Sequence, residues 1–128
     1  MKPIIHCLED FEMHRFILES HLQRLLNNDA EVHYFRTMGQ LKKTSRSCHL
    51  LISDLHLPDS PGEQTAKYLL SICEHTPVLV QSSDPILPDE LAQRSHGKIM
   101  VVEKGGQGPR FEQAIDRFMA QHKLTFCL

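Results

Sequence analysis

The stretch that decides the fold is Leu50-Leu51-Ile52-Ser53-Asp54-Leu55-His56-Leu57-Pro58-Asp59-Ser60-Pro61-Gly62. Three consecutive large apolar residues without polar alternation predict a short strand covered on both faces, as strands of parallel sheets are. The aspartate then falls where the strand gives way to a turn rich in proline, serine and glycine. Four further short apolar runs read as strands, Ile4 to Leu8, Val32 to Phe35, Val78 to Val80 and Ile99 to Val102, and three of the five are apolar almost without interruption. Each also ends in polar or turn-forming residues.

Helical patterns fill the intervals. Phe111, Ala114, Ile115, Phe118 and Met119 form one apolar stripe, and a short tail is expected beyond that helix. Leu18, Leu22 and Leu25 mark a second helix, and Ala66, Leu69, Leu70 and Cys73 a third. Shorter helices are expected at Met38 to Lys43 and at Pro88 to Arg94, the latter with Pro88, Asp89 and Glu90 in its first turn. Five strand-helix units predict an α/β fold: a doubly wound five-stranded parallel sheet in the flavodoxin-like order 2-1-3-4-5, with helices on both faces. Ligands of such sheets bind outside the carboxyl ends of the strands, here in the crevice between the first and third.

Composition narrows the function classes. The 128 residues, 41% of them apolar, suit one domain over positions 1–128 with no room for an output domain. Fourteen basic against sixteen acidic residues give a formal charge of −2, and the basic cluster Lys42, Lys43 and Arg46 is too thin for a nucleic-acid footprint. The N-terminal apolar run is too short for a signal segment or a membrane span, which points to the cytoplasm. Cys7, Cys48, Cys73 and Cys127 form no Cys-x-x-Cys pair and are expected as reduced thiols. Nine histidines are scattered without the spacing of a His/Cys metal site.

Four strand ends carry groups able to converge: Glu9 and Asp10 after the first, Asp54 after the third, Ser82 and Ser83 after the fourth, and Lys104 after the fifth. Taken singly these are ordinary turn, cap or loop residues. Together, three carboxylates in one crevice repel one another unless a cation relieves them. A hard divalent ion such as Mg²⁺ takes carboxylates, carbonyls and a phosphate oxygen. A hydroxyl at Ser82 and an ammonium at Lys104 suit the remaining oxygens of a phosphoryl group. The set points to phosphoryl transfer onto a carboxylate.

With these residues in place the chain resembles, over essentially its whole length, the response-regulator receiver domains related to the bacterial chemotaxis response regulator. Glu9-Asp10 match the family's acidic pair, Asp54 its phosphoacceptor, and Pro58 and Gly62 its proline and glycine four and eight residues on. Pro77-Val78-Leu79-Val80-Gln81-Ser82-Ser83 resembles its fourth-strand segment, and Lys104 closes the set. The resemblance implies that Asp54 takes a phosphoryl group from a sensor histidine kinase or histidine phosphotransfer protein. Asp10, Asp54 and the backbone carbonyl of His56 would hold Mg²⁺, with Glu9 acting through a bound water. Ser82 and Lys104 would contact the phosphoryl group, and the His56 side chain would flank it. The output would be a switched interaction with a downstream protein or a homodimer, with no turnover of a separate substrate.

The sequence also departs from the pattern. Lys104 is followed by Gly105-Gly106-Gln107-Gly108-Pro109 where many receivers have a proline in cis, so a trans, mobile loop is expected. Val101 stands where the family has Tyr or Phe, and Pro85 and Pro88 are expected to delay or shorten the fourth helix. A pseudo-receiver, an interaction module that signals without phosphorylation, is therefore the competing reading. A haloacid-dehalogenase-type enzyme would want a second Asp where His56 stands, and a flavin carrier would be repelled by Glu9 and Asp10.

Overall fold

The computed structural model describes residues 2–44, 46–83, 87–103 and 109–127. Its elements alternate throughout: β1 (Ile4–Leu8), α1 (Glu12–Leu26), β2 (Glu31–Phe35), α2 (Met38–Lys43), β3 (Leu50–Ser53), α3 (Gly62–Ile72), β4 (Val78–Ser82), α4 (Leu87–Arg94), β5 (Ile99–Glu103) and α5 (Pro109–Cys127). The five strands make one sheet in the order β2-β1-β3-β4-β5, and every neighbouring pair is parallel. The expected fold class and strand order are those observed.

Strand residues alternate between two cores. Leu8, Leu51, Val78, Val80 and Ile99 pack with Met38, Leu41, Ala66, Leu69, Leu87 and Leu91 of α2, α3 and α4. Ile5, Cys7, Leu50, Ile52, Leu79 and Val102 pack on the opposite face with Leu18, Leu22 and Leu26 of α1 and Phe111, Ala114, Ile115 and Phe118 of α5. Coverage on both sides explains why β3 and β4 are buried at every position, Ser53, Gln81 and Ser82 included. Val101 lies half-buried against the first core.

Two expectations need correction. The tail foreseen after the last helix is itself helical, because α5 runs on to Cys127. No glycine or proline follows Pro109 within those 19 residues, so nothing in the chain stops it. Helix α4 begins at Leu87 rather than Pro88, which still leaves Pro88 in the first turn, where its missing N–H is harmless. The expectations for Pro85 and for the loop from Lys104 through Gly108 fall outside the described residues. Cys7, Cys48 and Cys73 are free thiols, and burial raises the pKa of Cys7 far above the ordinary thiol range. Among the described residues no helix is long and apolar enough to cross a membrane.

Register places the site. Leu8 pairs with Ser53 and Ser53 with Val80, so the residues following β1 and β3 leave the sheet side by side. The Asp54 amide donates to the Leu8 carbonyl at 2.9 Å, extending the ladder one step past β3.

Candidate functional site

At the carboxyl ends of β1 and β3 three carboxylates meet. Glu9, Asp10 and Asp54 each bring an oxygen to within 4.8 Å of the other two. Glu9 and Asp54 are buried, at 3% and 5% exposure, and Asp10 is half-buried. Among the described residues this is the one cluster of three or more His, Cys, Asp or Glu side chains spaced to hold a metal ion. The donor set fits a hard cation. Oxygens about 2.1 Å from an octahedral ion lie about 4.2 Å apart when opposite and closer when adjacent, so the observed spacing needs little adjustment.

Local structure aims these groups. Asp54 Oδ1 accepts the Leu55 amide at 2.7 Å and, more weakly, the His56 amide at 3.4 Å. The Asp54 carbonyl accepts the Ser53 hydroxyl at 2.7 Å. Glu9 Oε2 accepts the Phe11 amide at 3.1 Å, tying the carboxylate to the start of α1, which has no side-chain cap of its own. Ser82 ends β4 on the strand beside β3 and is 6% exposed, whereas Ser83 is exposed. Lys104 lies outside the described residues. The His56 side chain is exposed and leans on Gly62 at the start of α3.

Sequence reasoning missed two features. Asp59, in the turn after Asp54, reaches α2 and accepts the amides of Met38 and Gly39, both at 2.9 Å. Those donors, Gly39 first and then Met38, hold the Asp59 carboxyl below the usual aspartate range. The same turn is closed by paired hydrogen bonds between Leu57 and Ser60 and by the Ser60 and Thr65 hydroxyls at 2.7 Å. The second feature is an apolar patch at the start of α1, with Phe11, Met13 and Phe16 exposed to 52%, 64% and 68%. Its signal in the sequence is that Met13 and Phe16 stand off the Leu18 and Leu22 stripe, while Phe11 precedes the helix as its N-cap.

No family model and no curated protein matches the sequence. Solved structures do match over most of the chain. The signal receiver domain of an HD domain-containing protein from Pseudomonas fluorescens is 23% identical, with a TM-score of 0.70 over 99% of this chain and 94% of that one. RcsB from Salmonella enterica serovar Typhimurium, bound to promoter rprA in the presence of phosphomimetic BeF3−, is 18% identical, with a TM-score of 0.74 over 92% and 99%. The BeF3-activated DrrB receiver domain is 17% identical, with a TM-score of 0.71 over 94% and 99%, and DrrB is a Thermotoga maritima protein. The likeness is one of fold: this chain has the architecture of response-regulator receiver domains.

Proposed function

We propose that residues 1–128 form a response-regulator receiver domain that accepts a phosphoryl group on Asp54 in a Mg²⁺-dependent reaction. The observation that carries this reading is the convergence of the Glu9, Asp10 and Asp54 oxygens within 4.8 Å at the carboxyl ends of β1 and β3. In the transfer a carboxylate oxygen of Asp54 attacks phosphorus in line with the donor nitrogen. The O–P bond forms as the P–N bond of a phosphohistidine breaks, and the leaving imidazole takes up a proton. The Leu55 amide on Oδ1 fixes the orientation of the attacking group. Asp10 and Asp54, with the His56 carbonyl and a water held by Glu9, would bind the ion, which neutralises charge on the transferring phosphoryl group. Ser82 is assigned a hydrogen bond to that group and Lys104 a countercharge, both on their place in the sequence. The protein works in the cytoplasm on this reading and turns over no separate substrate.

The test is intact-mass measurement after incubation with a small phosphodonor and Mg²⁺. One phosphoryl adduct is expected, disappearing in excess chelator, because a dianion does not approach three carboxylates unaided. A wild-type chain that stays unlabelled is the pseudo-receiver outcome and sinks the reading. Labelling that persists in chelator removes Asp10 and Glu9 from the metal role.

The phosphodonor protein also needs a seat, and Phe11, Met13 and Phe16 are exposed at the start of α1, where the Phe11 amide donates to Glu9. We assign this patch to a sensor histidine kinase or histidine phosphotransfer protein. Phe16→Ser should slow labelling from a phosphorylated histidine phosphotransfer domain by about tenfold or more while leaving small-donor labelling unchanged. Equal slowing with both donors would place the defect in the site rather than in docking.

A further inference from the structure

Register sets one more side chain beside Asp54. Leu8 pairs with Ser53, Ser53 with Val80, and Gln81 with Val102. The amides of Glu9 and Asp54 carry the ladder on to the carbonyls of Phe35 and Leu8, at 3.0 and 2.9 Å. The rung above Leu8, Ser53 and Val80 therefore reads Glu9, Asp54, Gln81 and Val102. Cys7, Ile52 and Leu79 stand two positions earlier in the core beneath α1 and α5, and Val102 belongs to that core. Strand alternation thus turns the whole rung to one face, where its members are 3%, 5%, 4% and 6% exposed.

Three of these side chains have visible employment. Val102 packs in the core, Glu9 Oε2 accepts the Phe11 amide, and Asp54 Oδ1 accepts the Leu55 amide. Gln81 differs: its Nε2 is buried and has no hydrogen-bond partner among the described residues. A buried donor left without an acceptor destabilises the fold, so its presence calls for a reason. Neighbouring strands lie about 4.8 Å apart, and a glutamine, with two methylenes before its amide, spans that gap. We propose that Gln81 is a binding residue for the phosphoryl group: its Nε2 donates a hydrogen bond to an oxygen of the phosphoryl group carried on Asp54. The inference rests on Asp54 as acceptor and deepens that reading with a donor from the strand beside β3. Because the bond exists only once the group has arrived, it favours the phosphorylated state alone. An amide also suits the place, since it donates without adding charge to the three carboxylates.

Gln81→Met nearly keeps the length and shape of the side chain and removes the amide. In the absence of any phosphoryl probe the variant should melt a few degrees above the wild type, because an unpaired donor has left the interior. The probe is beryllofluoride with Mg²⁺, a mimic of the phosphoryl group. The variant should bind it about tenfold to a hundredfold more weakly, as expected for one hydrogen bond to a charged acceptor. In the wild type, the side-chain amide protons of Gln81, assigned by NMR through their loss in the variant, should move downfield at saturation.

Equal affinity of variant and wild type for the mimic overturns the inference and leaves Asp54 as acceptor. So do Gln81 amide protons that stay in place at saturation. A free variant that melts below the wild type shows the amide to be partnered already and overturns the inference as well. A wild-type chain that neither labels nor binds the mimic defeats the function proposed above, and the Gln81 donor then loses its acceptor with it.

Discussion

Asp54→Asn is expected to carry no phosphoryl group under conditions that label the wild type to completion, a loss of at least about a thousandfold in rate, or about 4 kcal/mol of transition-state stabilisation. The amide matches the carboxylate in shape, and its oxygen can still accept the Leu55 amide that Asp54 Oδ1 accepts at 2.7 Å. The turn is therefore retained. Two things are lost together. An amide oxygen is a poor nucleophile at phosphorus, and the cluster falls from three carboxylates to two, which weakens its hold on a divalent ion. Intact mass over a labelling time course, with a thermal melt of both proteins, separates these losses from unfolding. An equal adduct in the variant would move the acceptor elsewhere, with the buried Ser53 and Ser82 hydroxyls and the Asp10 carboxylate next in line, and would end the claim for Asp54.

The residues of this site were legible because they stand at strand ends, and strand ends are marked by where apolar runs stop. Leu8 and Leu50-Leu51-Ile52 place Glu9, Asp10 and Asp54 on one edge of the sheet once the order is known. The same signal misjudges length. β3, β4 and β5 continue through Ser53, Gln81-Ser82 and Glu103, because pairing is made by backbone groups that do not depend on side-chain polarity. Ser82 pairs with Glu103 although neither reads as strand.

Contacts made away from the strand ends were not legible. Asp59 looks like any turn aspartate, and that it reaches the amides of Met38 and Gly39 depends on how two loops meet in space. Gly62 looked like a family marker, and nothing in the sequence showed that the His56 ring and Leu87 lie against it. Neither contact has a period or a spacing that a chain could display. α5 shows the converse limit, since its apolar stripe fades before its backbone does and nothing after Pro109 breaks the helix.

Phe111→Ala is expected to cost about 3–5 kcal/mol, a large share of the 5–15 kcal/mol that holds an ordinary domain together. The ring is 1% exposed and lies in the core that joins α5 to Leu18 and Leu22 of α1 and to Ile5, Ile52 and Leu79 of the sheet. It also covers the His21 ring, at 5.2 Å between centroids. His21 is 7% exposed, with Nδ1 3.0 Å from Arg24 Nη2 and Nε2 3.6 Å from Glu112 Oε1. Burial pushes its pKa down and Arg24 adds to this, with Glu112 opposing. The folded chain thus takes up this proton less readily than the unfolded chain. Stability from His21 is complete above the ordinary histidine value and drains away as pH falls below it, down to the lowered folded value.

Removing the Phe111 ring admits water to His21 and relieves the burial that depresses its pKa. Two effects should therefore appear together in urea denaturation across that pH range: a large loss at neutral pH, and a shallower decline on the acid side. Phe111→Leu, which nearly conserves volume, should lose less than about 1.5 kcal/mol and keep the wild-type slope. A loss below about 1 kcal/mol in Phe111→Ala would show that this core does not depend on the ring. A full loss with an unchanged slope would mean that another group covers His21, and Glu112 and Arg24 are the groups beside it.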